Sequence, residues 1–115
     1  MISHLIQAFG HAFQGIGHFF RSCRNGRIHL RIAAVVIGLG LILGLSRQDW
    51  CTVLLCIALV ICLEMANEAI ERLADFIQPE QDERIRRIKD VSAGMVLLAS
   101  IFAAVIGTLV FLAYL

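Results

Sequence analysis

No acidic residue precedes Asp49, and no charged residue of either sign follows Asp90. Only 17% of the 115 residues are charged and 59% are apolar, a balance that excludes an ordinary soluble domain of this size. With charge segregated in this way, the formal net charge of +1 says little about partners, and no nucleic acid is expected. C-x-x-C spacing is absent as well. Cys23, Cys51, Cys56 and Cys62 stand apart, three of them in an apolar run, which argues against a disulfide framework or structural zinc and for reduced apolar fillers. There is no G-x-x-x-x-G-K-[ST] loop, so any use of ATP needs another phosphate grip. A secretory signal is not expected either. His4, Gln7, His11, Gln14 and His18 interrupt any apolar core near the start, and the N-terminus is expected to be retained.

What remains reads as one small membrane domain over 1–115. Ile2, Leu5, Ile6, Phe9, Phe13, Ile16 and Phe20 recur at spacings of three and four, predicting an amphipathic surface helix over 2–22. A basic segment, Arg21 to Arg31, leads to a first span expected over 31–47. Its uncharged part covers only on the order of 22 Å, so Arg31 and Arg47 are expected to snorkel. Trp50 is a candidate interface anchor at the start of a second span, 50–76. Pro79, the one proline, marks a polar turn before the third span, 90–115. Basic residues gather before span one and around the connection between spans two and three. The positive-inside rule therefore puts the N-terminus and that connection in the cytoplasm.

Gly38, Gly40 and Gly44 lie inside an apolar run without a strand or lysine beside them, which favours a small-residue packing face over a nucleotide loop. His4, His11 and His18 repeat every seven residues. Neighbours in that series are on the order of 10 Å apart along a helix, too far to share one ion, so a polar interfacial stripe is expected.

The second span carries the chemistry. Glu64, Asn67, Glu68, Glu71 and Asp75 fall within an arc of roughly 80° on one helical face. Carboxylates this close to a bilayer are costly unless they face water, metal or a bundle interior. Glu68 and Arg72 form an i,i+4 pair, the bland reading for that residue. Glu64 is harder to dismiss, because Cys62, Leu63, Met65 and Ala66 flank it; partial burial suits such a carboxylate to accept a proton. Asn67 lies one turn on, and Glu71 offers oxygen to Mg²⁺. Lys89 and Asp90 begin the third span, either as membrane anchors or as a charge placed to steady a phosphoryl group.

Together, Glu64-x-x-Asn67-x-x-x-Glu71-x-x-x-Asp75 and Lys89-Asp90 with Ala93-Gly94 resemble the small bacterial integral-membrane diacylglycerol kinase and undecaprenol kinase family. Ala8-Phe9-Gly10, Gly15-Ile16 and Arg24-Asn25-Gly26-Arg27-Ile28-His29-Leu30 extend the match over nearly the whole chain. The resemblance implies an all-α homotrimer, each subunit with three transmembrane helices plus the surface helix, in the bacterial inner membrane. Its active site is shared between subunits at the cytoplasmic boundary. By position, Glu64 resembles the base acting on a lipid hydroxyl and Asn67 a supporting polar residue. Glu71 resembles a metal ligand, Lys89 and Asp90 resemble ATP contacts, and Glu80 resembles, less closely, a nucleotide-side acid. The family's second metal-binding carboxylate corresponds to Cys23, and an arginine and an aromatic of its surface helix correspond to His4 and His11.

The function implied is ATP- and Mg²⁺-dependent phosphorylation of a membrane lipid alcohol, diacylglycerol or undecaprenol. Arg24-Asn25-x-Arg27-Ile28-His29 leans toward the latter. The alternative is an impaired member, disabled at Cys23, that serves as a lipid-binding or scaffold protein. Ion conduction along the acidic stripe fits less well, because the acids cluster at one end.

Overall fold

A long apolar stretch in lipid has to satisfy its backbone hydrogen bonds within itself, and the helix does this in a single segment. The computed structural model describes residues 1–115 as four helices: α1 (Ile2–Ser22), α2 (Arg24–Leu43), α3 (Arg47–Ile77) and α4 (Glu83–Leu112). The last three are long and apolar enough to cross a membrane.

Each helix ends where local chemistry stops it. Cys23 is extended; its N–H closes α1 on the Phe19 carbonyl, and its Sγ accepts from the Gly26 N–H at 3.4 Å to open α2. Arg27 donates to the Phe20 and Arg21 carbonyls at 3.2 and 2.7 Å, satisfying the end of α1. α2 stops at Gly44, whose φ of +71° is the left-handed conformation that terminates helices and that glycine adopts without a Cβ penalty. Ser46 Oγ caps α3 by accepting from the Asp49 N–H at 3.1 Å. Asp82 caps α4 by accepting from the Arg84 N–H at 2.8 Å; the Arg84 guanidinium and that N–H hold its carboxyl below the usual aspartate range.

Two helix starts depart by seven residues from the sequence expectation. α2 starts at Arg24, not 31, because the cap at Cys23 winds the basic segment into helix. Its 20 residues reach about 30 Å, but Arg24, Arg27 and Arg31 lie within it, so the uncharged stretch after Arg31 is no longer than the sequence suggests. α4 likewise starts at Glu83, converting the charged stretch before Asp90 into its first turns. At the other end Tyr114 turns back. Its hydroxyl donates to Asp49 Oδ2 at 2.6 Å and accepts from the Ser46 N–H at 2.9 Å.

The central helix is α3, which packs along α4 on one side and more lightly against α2 on the other; α1 rests on α2. The glycine pattern of α2 divides its labour. A Cβ on Gly40 would lie 2.8 Å from Trp50 and 2.9 Å from Leu45, so this glycine permits close packing within the chain, whereas Gly38 faces open space. Trp50 thus packs on Gly40 as well as standing at the helix start. Only 13 of 115 residues are buried. Apolar side chains such as Leu55, Leu98 and Leu109 lie bare, as expected for helices whose solvent is lipid. Between α2 and α4, over α3, runs a groove of about 550 Å³, lined by Ile32, Val36, Val60, Ala104 and Phe111, with His29 and Cys56 as its ionisable side chains.

Candidate functional site

α3 is uninterrupted through the acidic stripe, so its 3.6-residue repeat alone decides which acids face protein. Glu64 is 3% exposed and Asn67 8%, both turned into the chain; Glu68 is half-buried, and Glu71 and Asp75 are exposed. The stripe thus runs from a dry end to a wet end. Its buried end receives partners from both flanking helices.

From α2, His29 Nε2 lies 3.4 Å from Glu64 Oε2. From α4, Ser92 Oγ donates to Asn67 Oδ1 at 2.7 Å, and Ser92 is itself 4% exposed. No buried side-chain nitrogen or oxygen in the chain is left without a partner, as a dry polar cluster requires. Cys23 is buried beside Glu68 and Glu64. Burial pushes its thiol up from the ordinary value and the two acids add to the rise, while the Gly26 N–H opposes it. The group is therefore a neutral thiol at neutral pH.

One turn outward, Glu68 Oε1 accepts from Arg72 Nε at 2.8 Å, the pair expected from their spacing. Arg72 also lies 3.4 Å from His18 Nε2, which ties α1 to α3. At the exposed end Lys89 Nζ pairs with Asp75 Oδ1 at 2.5 Å, and Glu71 lies within Coulombic reach of the same ammonium. Asp90 faces Arg86 instead, 4.0 Å away. Glu80 is exposed in the turn after Pro79.

The fold therefore gathers Glu64, Asn67, Glu71, Lys89 and Cys23 along the C-terminal half of α3. Asp90 and Glu80 stand at its margin. No group of three histidine, cysteine or acidic side chains converges as a metal cage, and Cys23 and Glu71 differ sharply in exposure. Ser92 was not singled out from sequence, although it is the one hydroxyl in the early turns of an otherwise apolar span, directly between Lys89-Asp90 and Ala93-Gly94. His29 enters the sequence pattern only as part of the stretch from Arg24 to Leu30. Its approach to Glu64 required the crossing of α2 and α3, which residue spacing does not encode.

Chemically, the arrangement offers a shielded carboxylate, an amide oriented by a hydroxyl, and an accessible ammonium among carboxylates. Residues 10–111 match the prokaryotic diacylglycerol kinase family. A diacylglycerol kinase of Synechocystis sp. is 34% identical over 104 residues, which make up 90% of this chain and 59% of that protein. A diacylglycerol kinase of Haemophilus influenzae is 29% identical over 98 residues, 85% of this chain and 83% of that protein.

Proposed function

The chain belongs to the prokaryotic diacylglycerol kinase family, and from that premise we propose that it transfers the γ-phosphoryl group of ATP to the hydroxyl of a membrane lipid alcohol. The acceptor is diacylglycerol or undecaprenol, and the reaction runs at the cytoplasmic face of the inner membrane. The observation that carries this reading is the burial of Glu64 where the apolar run of α3 ends, with a histidine from α2 beside it and the Asn67–Ser92 pair one turn away.

Glu64 takes the proton from the lipid hydroxyl as that oxygen attacks phosphorus; shielding from water keeps the carboxylate available for this proton rather than a solvent one. Asn67, its carbonyl held by Ser92, has its amide N–H groups left to orient the hydroxyl. Lys89 exchanges its Asp75 contact for the phosphates, a point charge well suited to phosphoryl oxygens. Asp90 and Glu80, both exposed at the margin of the site, are the remaining nucleotide-side acids. The donor set suits a nucleotide-borne Mg²⁺, which keeps several waters and needs one or two protein carboxylates; Glu71 is the free one, and the neutral Cys23 thiol contributes little. When bound, that ion neutralises charge on the transferring phosphoryl group.

The bare apolar faces support assembly into a homotrimer that covers the site, with the N-terminus cytoplasmic. Leu5, Phe9 and Phe13 of α1, all exposed, support a surface helix lying on the bilayer. The apolar groove beginning at His29 gives a lipid chain a place beside Glu64.

The test is to incubate protein in lipid nanodiscs with labelled ATP and Mg²⁺ or Mn²⁺, and with dioleoylglycerol or undecaprenol. Transfer to at least one lipid is expected; transfer to neither overturns the reading. A second reading, an impaired member retained as a lipid-binding or scaffold protein, draws on the one substitution of a ligand position by a buried thiol, Cys23.

A further inference from the structure

The two basic clusters of this chain differ in what neutralises them. Around the turn between α3 and α4 every cation has an acid: Arg72 pairs with Glu68, Arg84 with Asp82, Arg86 and Arg87 with Glu83, and Lys89 with Asp75. At the corner between α1 and α2 none does. Arg21, Arg24, Arg27 and Arg31 form no ion pair, and the sequence holds no acid before Asp49. Arg27 is half-buried and engaged with the Phe20 and Arg21 carbonyls. Arg21, Arg24 and Arg31 are exposed, so their charge is left for a partner outside the chain. We infer that the α1–α2 corner is an interaction surface for the phosphodiester headgroups of anionic phospholipids in the surrounding bilayer.

Position and chemistry both favour that partner. α2 is long and apolar enough to span the membrane, and its basic first turns precede the uncharged stretch that crosses the hydrocarbon. Arg24 and Arg31, seven residues apart, share one face and are separated by about 10 Å along the axis. Helical side chains lean toward the N-terminus, so the long stem of Arg31 carries its guanidinium back toward Arg24. The exposed Leu5, Phe9 and Phe13 hold the other arm of the corner, α1, at the same boundary of oil and water, which brings Arg21 level with the headgroups. Each guanidinium can give two parallel N–H groups to phosphate oxygens. Positive-inside placement by itself does not make such a surface, because it favours both clusters equally. Between Glu68 and Asp90 seven acids stand against five cations, whereas the four arginines of the corner face none before Asp49. The lipid meant is the one around the protein, whichever alcohol it phosphorylates.

The experiment is electron spin resonance of spin-labelled phosphatidylglycerol or phosphatidylcholine in phosphatidylcholine vesicles that hold the full chain. The motionally restricted fraction gives the relative association of each lipid with the protein surface. An arginine near an anionic headgroup changes association about fivefold, and averaging over the whole perimeter dilutes this to an expected preference of about twofold or more for phosphatidylglycerol. R21Q/R24Q/R31Q is expected to bring the ratio to about one; a ratio equal to wild type overturns the surface. R86Q/R87Q removes two paired cations and is expected to cost less than half of what R24Q/R31Q costs. An equal cost assigns the preference to net charge and overturns the role of the corner. In wild type, raising salt from about 0.05 to 0.5 M shortens the screening length to a few ångströms and is expected to erase the preference. A salt-independent preference overturns the inference without recourse to any variant. Displacement of the labelled phosphatidylglycerol by MgATP or inorganic phosphate at matched ionic strength assigns the arginines to a soluble phosphate and also overturns it.

Discussion

Ser92 Oγ reaches Asn67 Oδ1 at 2.7 Å, a bond between two buried side chains on different helices. Removing the hydroxyl leaves the Asn67 carbonyl buried without a partner, a loss of about 1 to 3 kcal/mol. S92A should therefore lower the thermal midpoint of the detergent-solubilised protein and also slow turnover, because Asn67 loses its orientation. N67A should show much the same pair of effects. The double variant should be scarcely worse than either single one, since both remove the same contact. Additive losses in a double-mutant cycle would mean that the two side chains act separately.

Phe19 lies over Gly26, where a Cβ would sit 2.5 Å from the ring. The backbone conformation at Gly26 is ordinary helix, so the demand is for space alone. G26A should force α1 away from α2 at a cost of about 1 to 3 kcal/mol, seen as faster proteolysis within α1. Trimming the ring with F19A in the G26A background should return part of that loss. Unchanged proteolysis in G26A would show that α1 docks by other contacts.

Tyr114 closes the far end of the bundle through Asp49 and the Ser46 N–H. Y114F should lower the thermal midpoint and speed amide exchange at Ser46. Turnover should stay at the wild-type level, because Asp49 lies on the order of 22 Å along α3 from Glu64. Asp49 keeps a charge-assisted bond of about 1.5 to 3 kcal/mol to lose, so D49A should be at least as damaging to stability. A drop in turnover equal to that of E64Q would tie the clasp to the site.

The sequence displays the four helical segments because their apolar periodicity and the Pro79 break are local properties. It also displays the Glu64 face, since 3.6-residue spacing aligns Glu64, Asn67 and Glu71 whatever α3 packs against. The start of α2 is hidden because it depends on Cys23 acting as a cap, a role rarely filled by a thiol. The partners of the site are hidden for a different reason. Ser92 is 25 residues from Asn67 and His29 is on another helix, so their meeting is set by how α2 and α4 cross α3. Lys89 shows both levels. Its place at the head of α4 is legible, but its pairing with Asp75 follows from the turn around Pro79 bringing two helix ends together.

Cys23 gives the sharpest test of how this site manages charge. A glutamate there would enter a position only 5% exposed, next to Glu68 and Glu64. Three neighbouring carboxylates repel one another in a poorly solvated site, and burial raises the cost of each charge. Without metal, C23E should therefore melt at a lower temperature than the wild type. A divalent cation bound with ATP would offset that repulsion, so Mg²⁺ and ATP should raise the midpoint of C23E by more than that of the wild type, and EDTA should abolish the difference. If Glu71 and the nucleotide already suffice for the wild-type metal, C23E turnover should stay within about tenfold of wild type, a difference of roughly 1.4 kcal/mol. A much larger gain would instead identify the natural chain as the impaired member of its family. Equal thermal shifts in the two proteins would place Cys23 outside the metal's reach.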